Sequence, residues 1–292
     1  MRGERAAFEY DKVVNWQIPE GTQTYTERDT ILYALGVGAA TSNPPEDPVF
    51  VYEKVIRALP TMVMVLAPGP FWVADPATGI DLKKLLHGEQ SLQLHRPLPP
   101  RGSVYSRSKV EEIYDKGADK GAVMILRREL YDKANDELLA TARSSIFLRG
   151  NGGFGGKAEG QPKPHPIPEG RAPDLSADMV TRPEQAVIYR LSGDLNPLHI
   201  DPKFAAGGGF ERPILHGLCS FGIAGRAVVK LLCGNDPARL KSLNLRFASP
   251  VYPGDTLRTE VWTEGAGRAA FRVRVAESGT VVLNNGFTQF SE

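Results

Sequence analysis

Three things are scarce in this 292-residue chain: cysteine, net charge and long apolar runs. The two cysteines, Cys219 and Cys233, share one apolar stretch at no metal-type spacing, which predicts reduced core thiols and a cytoplasmic protein. The five histidines (His87, His95, His165, His199, His216) show no zinc-type spacing either, so no metal is expected. A formal charge of +1, from 35 basic and 34 acidic residues, excludes bulk attraction for nucleic acid or anionic lipid. The longest apolar run, Met62 to Ala67, is strand-sized and far short of the roughly 18 residues that span a bilayer. The charged stretch from Met1 to Gln17 lacks the apolar core of a signal peptide, and Phe290-Ser291-Glu292 is not the peroxisomal tripeptide. No glycine run leads into Gly-Lys-Ser/Thr or joins a strand to a helix, and there is no Gly-x-Ser-x-Gly. P-loop, dinucleotide and serine-hydrolase chemistry are thereby excluded, and no cofactor is expected. Hydrophobic residues at 41% and charged residues at 24% are the balance of a globular protein.

Glycine and proline, by contrast, are concentrated. Gly152-Gly153-Phe154-Gly155-Gly156 and then Pro162, Pro164, Pro166 and Pro168 make 151–173 a connector, since glycine costs order and proline blocks pairing. It separates 1–150 from 174–292. The two halves echo each other. Thr26-Glu27-Arg28-Asp29 leads into Ile31, Leu32 and Leu35, and Thr181-Arg182-Pro183-Glu184 into Val187, Ile188 and Leu191. Each reads as a helix with a threonine cap and an acid three residues later. Each helix carries a tyrosine near its end, Tyr33 and Tyr189. Later in each half an alternating strand meets a proline turn: Leu92 to Arg96 before Pro97, and Leu245 to Ser249 before Pro250. Counted back from those prolines, Leu94 corresponds to Phe247 and Leu92 to Leu245. Further strands are predicted at Gly121–Leu126, Ser144–Leu148, Ala269–Val275 and Val281–Phe290. A helix followed by antiparallel strands, occurring twice, predicts an α+β fold built by duplication.

The chemistry is densest in the second half. Its helix must stop near Gly193, because glycine favours a helix end and Pro197 cannot continue one. Asp194, Asn196 and His199 then lie on the irregular turn beyond. An aspartate and a histidine five residues apart on one turn can hold a water between them, the arrangement needed to add water across a polarised double bond. On sequence alone the same pair could equally be a cap and a core filler. Asp201-Pro202 reads as the N-cap and first residue of the next short helix. Beyond Arg212-Pro213-Ile214-Leu215-His216-Gly217, an apolar helix from about Leu218 to Leu232 is expected. Ser220, Gly222, Ala224 and Gly225 would allow close packing along it. Gly217 falls at its start, where unpaired N–H groups can stabilise a developing oxyanion. His216 reads as structural.

Tyr189-Arg-Leu-Ser-Gly-Asp-Leu-Asn-Pro-Leu-His199 resembles the motif of the R-specific (type 2) enoyl-CoA hydratases, the MaoC-like double hot-dog proteins. Arg212-Pro-Ile-Leu-His-Gly217, Gly152-Gly-Phe-Gly-Gly-Lys157 and Leu86-His-Gly-Glu-Gln90 with Pro97-Leu-Pro-Pro100 are similar to family segments at similar spacings, so the resemblance covers nearly the whole chain. It implies a double hot-dog, two repeats of a long helix wrapped by a curved antiparallel sheet. It implies hydration of trans-2-enoyl-CoA to (R)-3-hydroxyacyl-CoA in fatty-acid metabolism, with Asp194 and His199 catalytic. Asn196, Gly217, His87, Gly88, Lys116 and Phe247 would bind the acyl-CoA, and Lys120 is an alternative to Lys116. Which member of the pair is base and which is acid stays open. In place of Ser-Gly-Asp-x-Asn-Pro the first half has Gly36-Val37-Gly38-Ala39-Ala40, so one site per chain is implied, with 1–150 shaping the acyl pocket. A homodimer is expected, since hot-dog proteins usually associate. Thioester hydrolysis on the same scaffold, or a non-catalytic acyl-CoA-binding subunit, are the alternative activities.

Overall fold

The computed structural model describes residues 6–292. The first five residues, part of the stretch read for a leader sequence, lie outside the described residues. Short helix α1 (Tyr10–Val14) precedes the first repeat, which comprises β1 (Gly21–Tyr25), α2 (Glu27–Gly36), β2 (Leu85–Leu94), β3 (Gly102–Asp115), β4 (Ala122–Asp132) and β5 (Leu138–Leu148). The second comprises β6 (Leu175–Val180), α3 (Gln185–Tyr189), α4 (Pro202–Gly207), α5 (Gly217–Cys233), β7 (Leu240–Phe247), β8 (Thr256–Thr263), β9 (Arg268–Val275) and β10 (Val281–Phe290). The ten strands among the described residues form one antiparallel sheet in the order β1-β3-β4-β5-β2-β7-β10-β9-β8-β6. Read from either edge, that order is the same series of equivalent strands.

The seam shows the duplication at residue level. β2 pairs with β7, and Ser91 faces Asn244. Each lies six residues before its proline, Pro97 or Pro250. Equivalent residues therefore pair with each other at an approximate two-fold axis. The irregularities match as well. β2 slips by one residue against β5 between His87 and Glu89, and β7 slips against β10 between Leu240 and Ser242. A bulge at Gly88 in one repeat thus answers a bulge at Lys241 in the other.

Sequence and structure part company in three places. Thr26 caps α2 with Asp29 in a capping box as predicted, but Thr181 does not cap α3. Its hydroxyl donates to the Asp255 carbonyl, and the helix begins four residues later at Gln185. The long central helix is found in the second repeat alone among the described residues. In the first, the strand-sized run from Met62 folds partly into a 3-10 turn, Pro60–Met64, packed against α5. The connector, finally, is irregular but tied down. The Asp115 carboxylate accepts from the backbone N–H groups of Gly117, Gly153 and Gly155, and those bonds hold its pKa below the ordinary range against the opposing effect of burial.

α5 fits so closely because its small residues leave room. A methyl group on Gly222 would stand 2.4 Å from Val37 Cγ1 and one on Gly225 2.5 Å from Thr61 Cγ2. Both cysteines are buried and free, as their apolar setting predicts.

Candidate active site

The turn after α3 is shaped by three residues. A single 3-10 turn, Arg190–Ser192, ends at Gly193, whose φ of 121° is open to glycine at little cost. The Asp194 carboxylate accepts from Asn196 N–H at 3.2 Å. Asn196 Oδ1 accepts from Leu198 N–H at 3.0 Å and so caps the 3-10 turn Pro197–His199. Asn196 acts through the backbone that presents His199. Asp201 accepts from Lys203 and Phe204 N–H groups and caps α4, as expected.

His199 is buried, and its Nδ1 donates to the Ile214 carbonyl at 2.8 Å. That bond fixes the tautomer and leaves Nε2 as the acceptor. Burial pushes its pKa below the ordinary histidine range, with the Ile214 bond and the Asp194 charge pulling the other way. The ring stacks on His216 at 3.7 Å between centroids. His216 in turn donates from Nε2 to the Asp194 main-chain carbonyl at 3.1 Å, and packs against Tyr189 at 4.9 Å. Burial, then the neighbouring His199, push His216 down to about 4. His216, structural by its sequence, thus joins both members of the candidate pair to the start of α5. Its place immediately before Gly217 was the available clue.

Asp194, His199 and His216 bring side-chain donor atoms within 4.8 Å of one another. That is near enough for a metal set, but stacked rings direct their lone pairs side by side rather than at one point. Two imidazoles whose pKa values burial lowers, beside one carboxylate, suit proton transfer better.

The opposite wall comes from the seam of the sheet. The bulge at Gly88 is crowded by Phe147, whose ring a Cβ at that glycine would overlap. His87, half-buried beside it, meets Phe247 edge-on at 4.9 Å. Its Nε2 has no hydrogen-bond partner, and burial lowers its pKa to about 4. Phe247 also faces Gly217, where an added Cβ would sit 3.3 Å from the ring. Gly217 is the first residue of α5 with His216 as N-cap, so its N–H belongs to the unpaired first turn. The first repeat therefore supplies His87 and Gly88, and the second supplies Phe247, Gly217 and the candidate pair Asp194 and His199. Lys116 lies apart, at the β3–β4 hairpin, where its ammonium donates to the Ala158 carbonyl and its N–H to Gly121. Lys120 belongs to the same hairpin.

The comparisons with known proteins agree with this geometry. Residues 166–285 match the MaoC like domain and residues 23–150 the MFE-2 hydratase 2 N-terminal domain. A Mycobacterium tuberculosis relative, 3-hydroxyacyl-thioester dehydratase Y, is 43% identical over 91% of this chain and 93% of its own. The chain belongs to the MaoC-like hydratase 2 family. The mouse peroxisomal multifunctional enzyme type 2 is 42% identical over 94% of this chain, which spans 37% of that longer protein. A solved MaoC-like dehydratase of Phytophthora capsici superposes with a TM-score of 0.86 at 40% identity, covering 97% of this chain and 98% of the other. The double hot-dog predicted for the chain is the fold it has.

Proposed function

We propose that this chain adds water to trans-2-enoyl-CoA, giving (R)-3-hydroxyacyl-CoA, at Asp194 and His199. It is an enoyl-CoA hydratase of the hydratase 2 family and works on acyl-CoA substrates of fatty-acid metabolism. The observation that carries the site is the His199 ring, fixed by Ile214 and held beside Asp194 with Nε2 left to accept a proton. A water lying between the two groups gives up a proton to the pair, and its oxygen bonds to the β-carbon. The π electrons of the double bond move onto the thioester oxygen, where the Gly217 N–H takes the charge. The enolate then collapses as the pair returns the proton to the α-carbon on the same face, so that overall one water is consumed and nothing else is released. Asn196 positions His199, while His87, Gly88 and Phe247 wall the acyl thioester. Lys116 or Lys120 would meet the CoA phosphates at the hairpin.

In this reading residues 1–150 shape the acyl pocket, 151–173 link, and 174–292 catalyse without cofactor or metal. Leu191, Leu195 and Phe204 are more than half exposed around the catalytic turn, which suits an apolar chain or the second copy of a cytoplasmic homodimer. Among the described residues no helix is long and apolar enough to cross a membrane.

The test is loss of enoyl-thioester absorbance over short, medium and branched substrates, with chiral analysis of the product. An S-configured product, or release of free CoA thiol in place of hydration, would overturn the assignment. Light scattering of the purified chain checks the dimer.

A further inference from the structure

The wall of the reaction site has a counterpart across the two-fold axis. By strand register, Phe247 corresponds to Leu94 and His87 to Leu240, and the bulge residue Gly88 corresponds to Lys241. The first repeat's helical element against the sheet begins at Pro60, where the second has Gly217. Leu94, Leu240, Lys241 and Pro60 all line one cavity of about 360 Å³ between the repeats. Its volume lies within the range of small-ligand sites.

This cavity has lost the reaction machinery. The counterparts of Asp194 and Asn196 are Gly38 and Ala40, and Pro60 has no N–H where Gly217 has one. What it has acquired is positive charge. Arg57, Arg96 and Lys241 line it, and Asp236 is the one acid among its lining residues, already paired to Arg57 at 2.7 Å. Arg96 reaches Glu137 at 3.2 Å with its side chain 60% exposed, and the Lys241 ammonium donates to the Ala238 carbonyl. The floor is apolar: Leu94, Leu98 and Leu240 are each less than a tenth exposed.

We propose that this cavity is a second, non-catalytic ligand site for an anion with a short apolar tail. The tail lies on Leu94, Leu98 and Leu240, and the charge is met by Arg96 and Lys241.

Octanoate is the probe, added to the full chain with labelled leucine methyls, and acetate and octanol are the controls. Octanoate should shift the methyls of Leu94, Leu98 and Leu240 along one saturable curve. Arg96→Glu and Lys241→Glu should each weaken it by at least about fivefold, with Lys241→Gln between them and the wild type. Both positions are exposed, so the variants should melt like the wild type and hydrate enoyl-CoA at its rate. Three results would overturn the proposal: unmoved methyls, equal binding of acetate or octanol, or unchanged octanoate affinity in the charge variants. Because the readout is the leucine methyls, it stands or falls apart from whether the Asp194 site hydrates anything.

Discussion

The two repeats share a sheet order, a seam and a bulge, yet among the described residues the long central helix and the polar turn belong to the second alone. In the second, Gly193 breaks the helix and Asp194 and His199 project from the turn beyond. In the first, Gly36-Val37-Gly38-Ala39-Ala40 occupies the same place and is closed by its neighbour. Gln185 Nε2 donates to the carbonyls of Leu35 and Gly36, Arg182 to those of Ala39 and Ala40, and Cys219 to Gly36. Any space the first repeat gives an acyl chain lies elsewhere than at this turn. The strands are common to both halves, while the polar side chains that the proposed chemistry needs stand on one turn of the second. The carbonyls of this turn are satisfied by donors from the second repeat.

The comparison breaks most sharply at the pair itself. Asp194→Asn and His199→Gln should each lower kcat by about 10³-fold or more with the melting temperature unchanged, and the double variant should cost little beyond either single one. Steady-state kinetics and thermal melting decide this, and near-normal turnover in either single variant would remove the assignment. His216→Phe keeps the stack on His199 but loses the hydrogen bond to the Asp194 carbonyl. A fall in kcat of about tenfold is expected, with KM little changed.

Packing between the repeats gives the next effect. Gly222→Ala drives a methyl into Val37 and the Tyr33 hydroxyl, which should destabilise the fold by about 1–3 kcal/mol in denaturant titration. Histidine burial adds a pH dependence of known sign. His87, His199 and His216 have folded pKa values below the unfolded one, the first and third at about 4. Their contribution is complete above pH 6.5 and is lost as pH falls toward 4, because the unfolded chain binds protons that the folded chain refuses. Melting temperatures measured from pH 8 to 4 should fall over that window, and His87→Phe should flatten the decline. The smallest effect sharpens the contrast from the other side. Gly38→Asp places a carboxylate in the first repeat at a φ of 79°, beside the Arg226 guanidinium. In a His199→Gln background it should restore no measurable turnover, since no histidine answers it.

Much of the catalytic turn could be read directly because local rules govern it. Gly193 and Pro197 had to end the helix, Asp201 had to cap the next one, and both predictions hold. The site's far wall was legible only through the resemblance, since no local rule links His87 to Phe247 across a seam between repeats. The Thr181 cap failed because a tertiary partner, the Asp255 carbonyl, took the hydroxyl first. The apolar run from Met62, strand-sized in sequence, instead takes part in a 3-10 turn that Pro60 opens, with Thr61 packed close to Gly225 of α5.

By itself, then, the sequence determined the duplication, the connector, the turn that carries Asp194 and His199, and the helix start at Gly217. Each follows from side-chain chemistry acting on its own few residues of backbone. The tertiary structure alone decided that His216 would brace the pair, that Ile214 would choose the tautomer of His199, and that the two bulges would lie at opposite ends of the seam. Those facts depend on pairing register and on which buried donor meets which acceptor, and residues far apart in the chain settle such questions only when they pack.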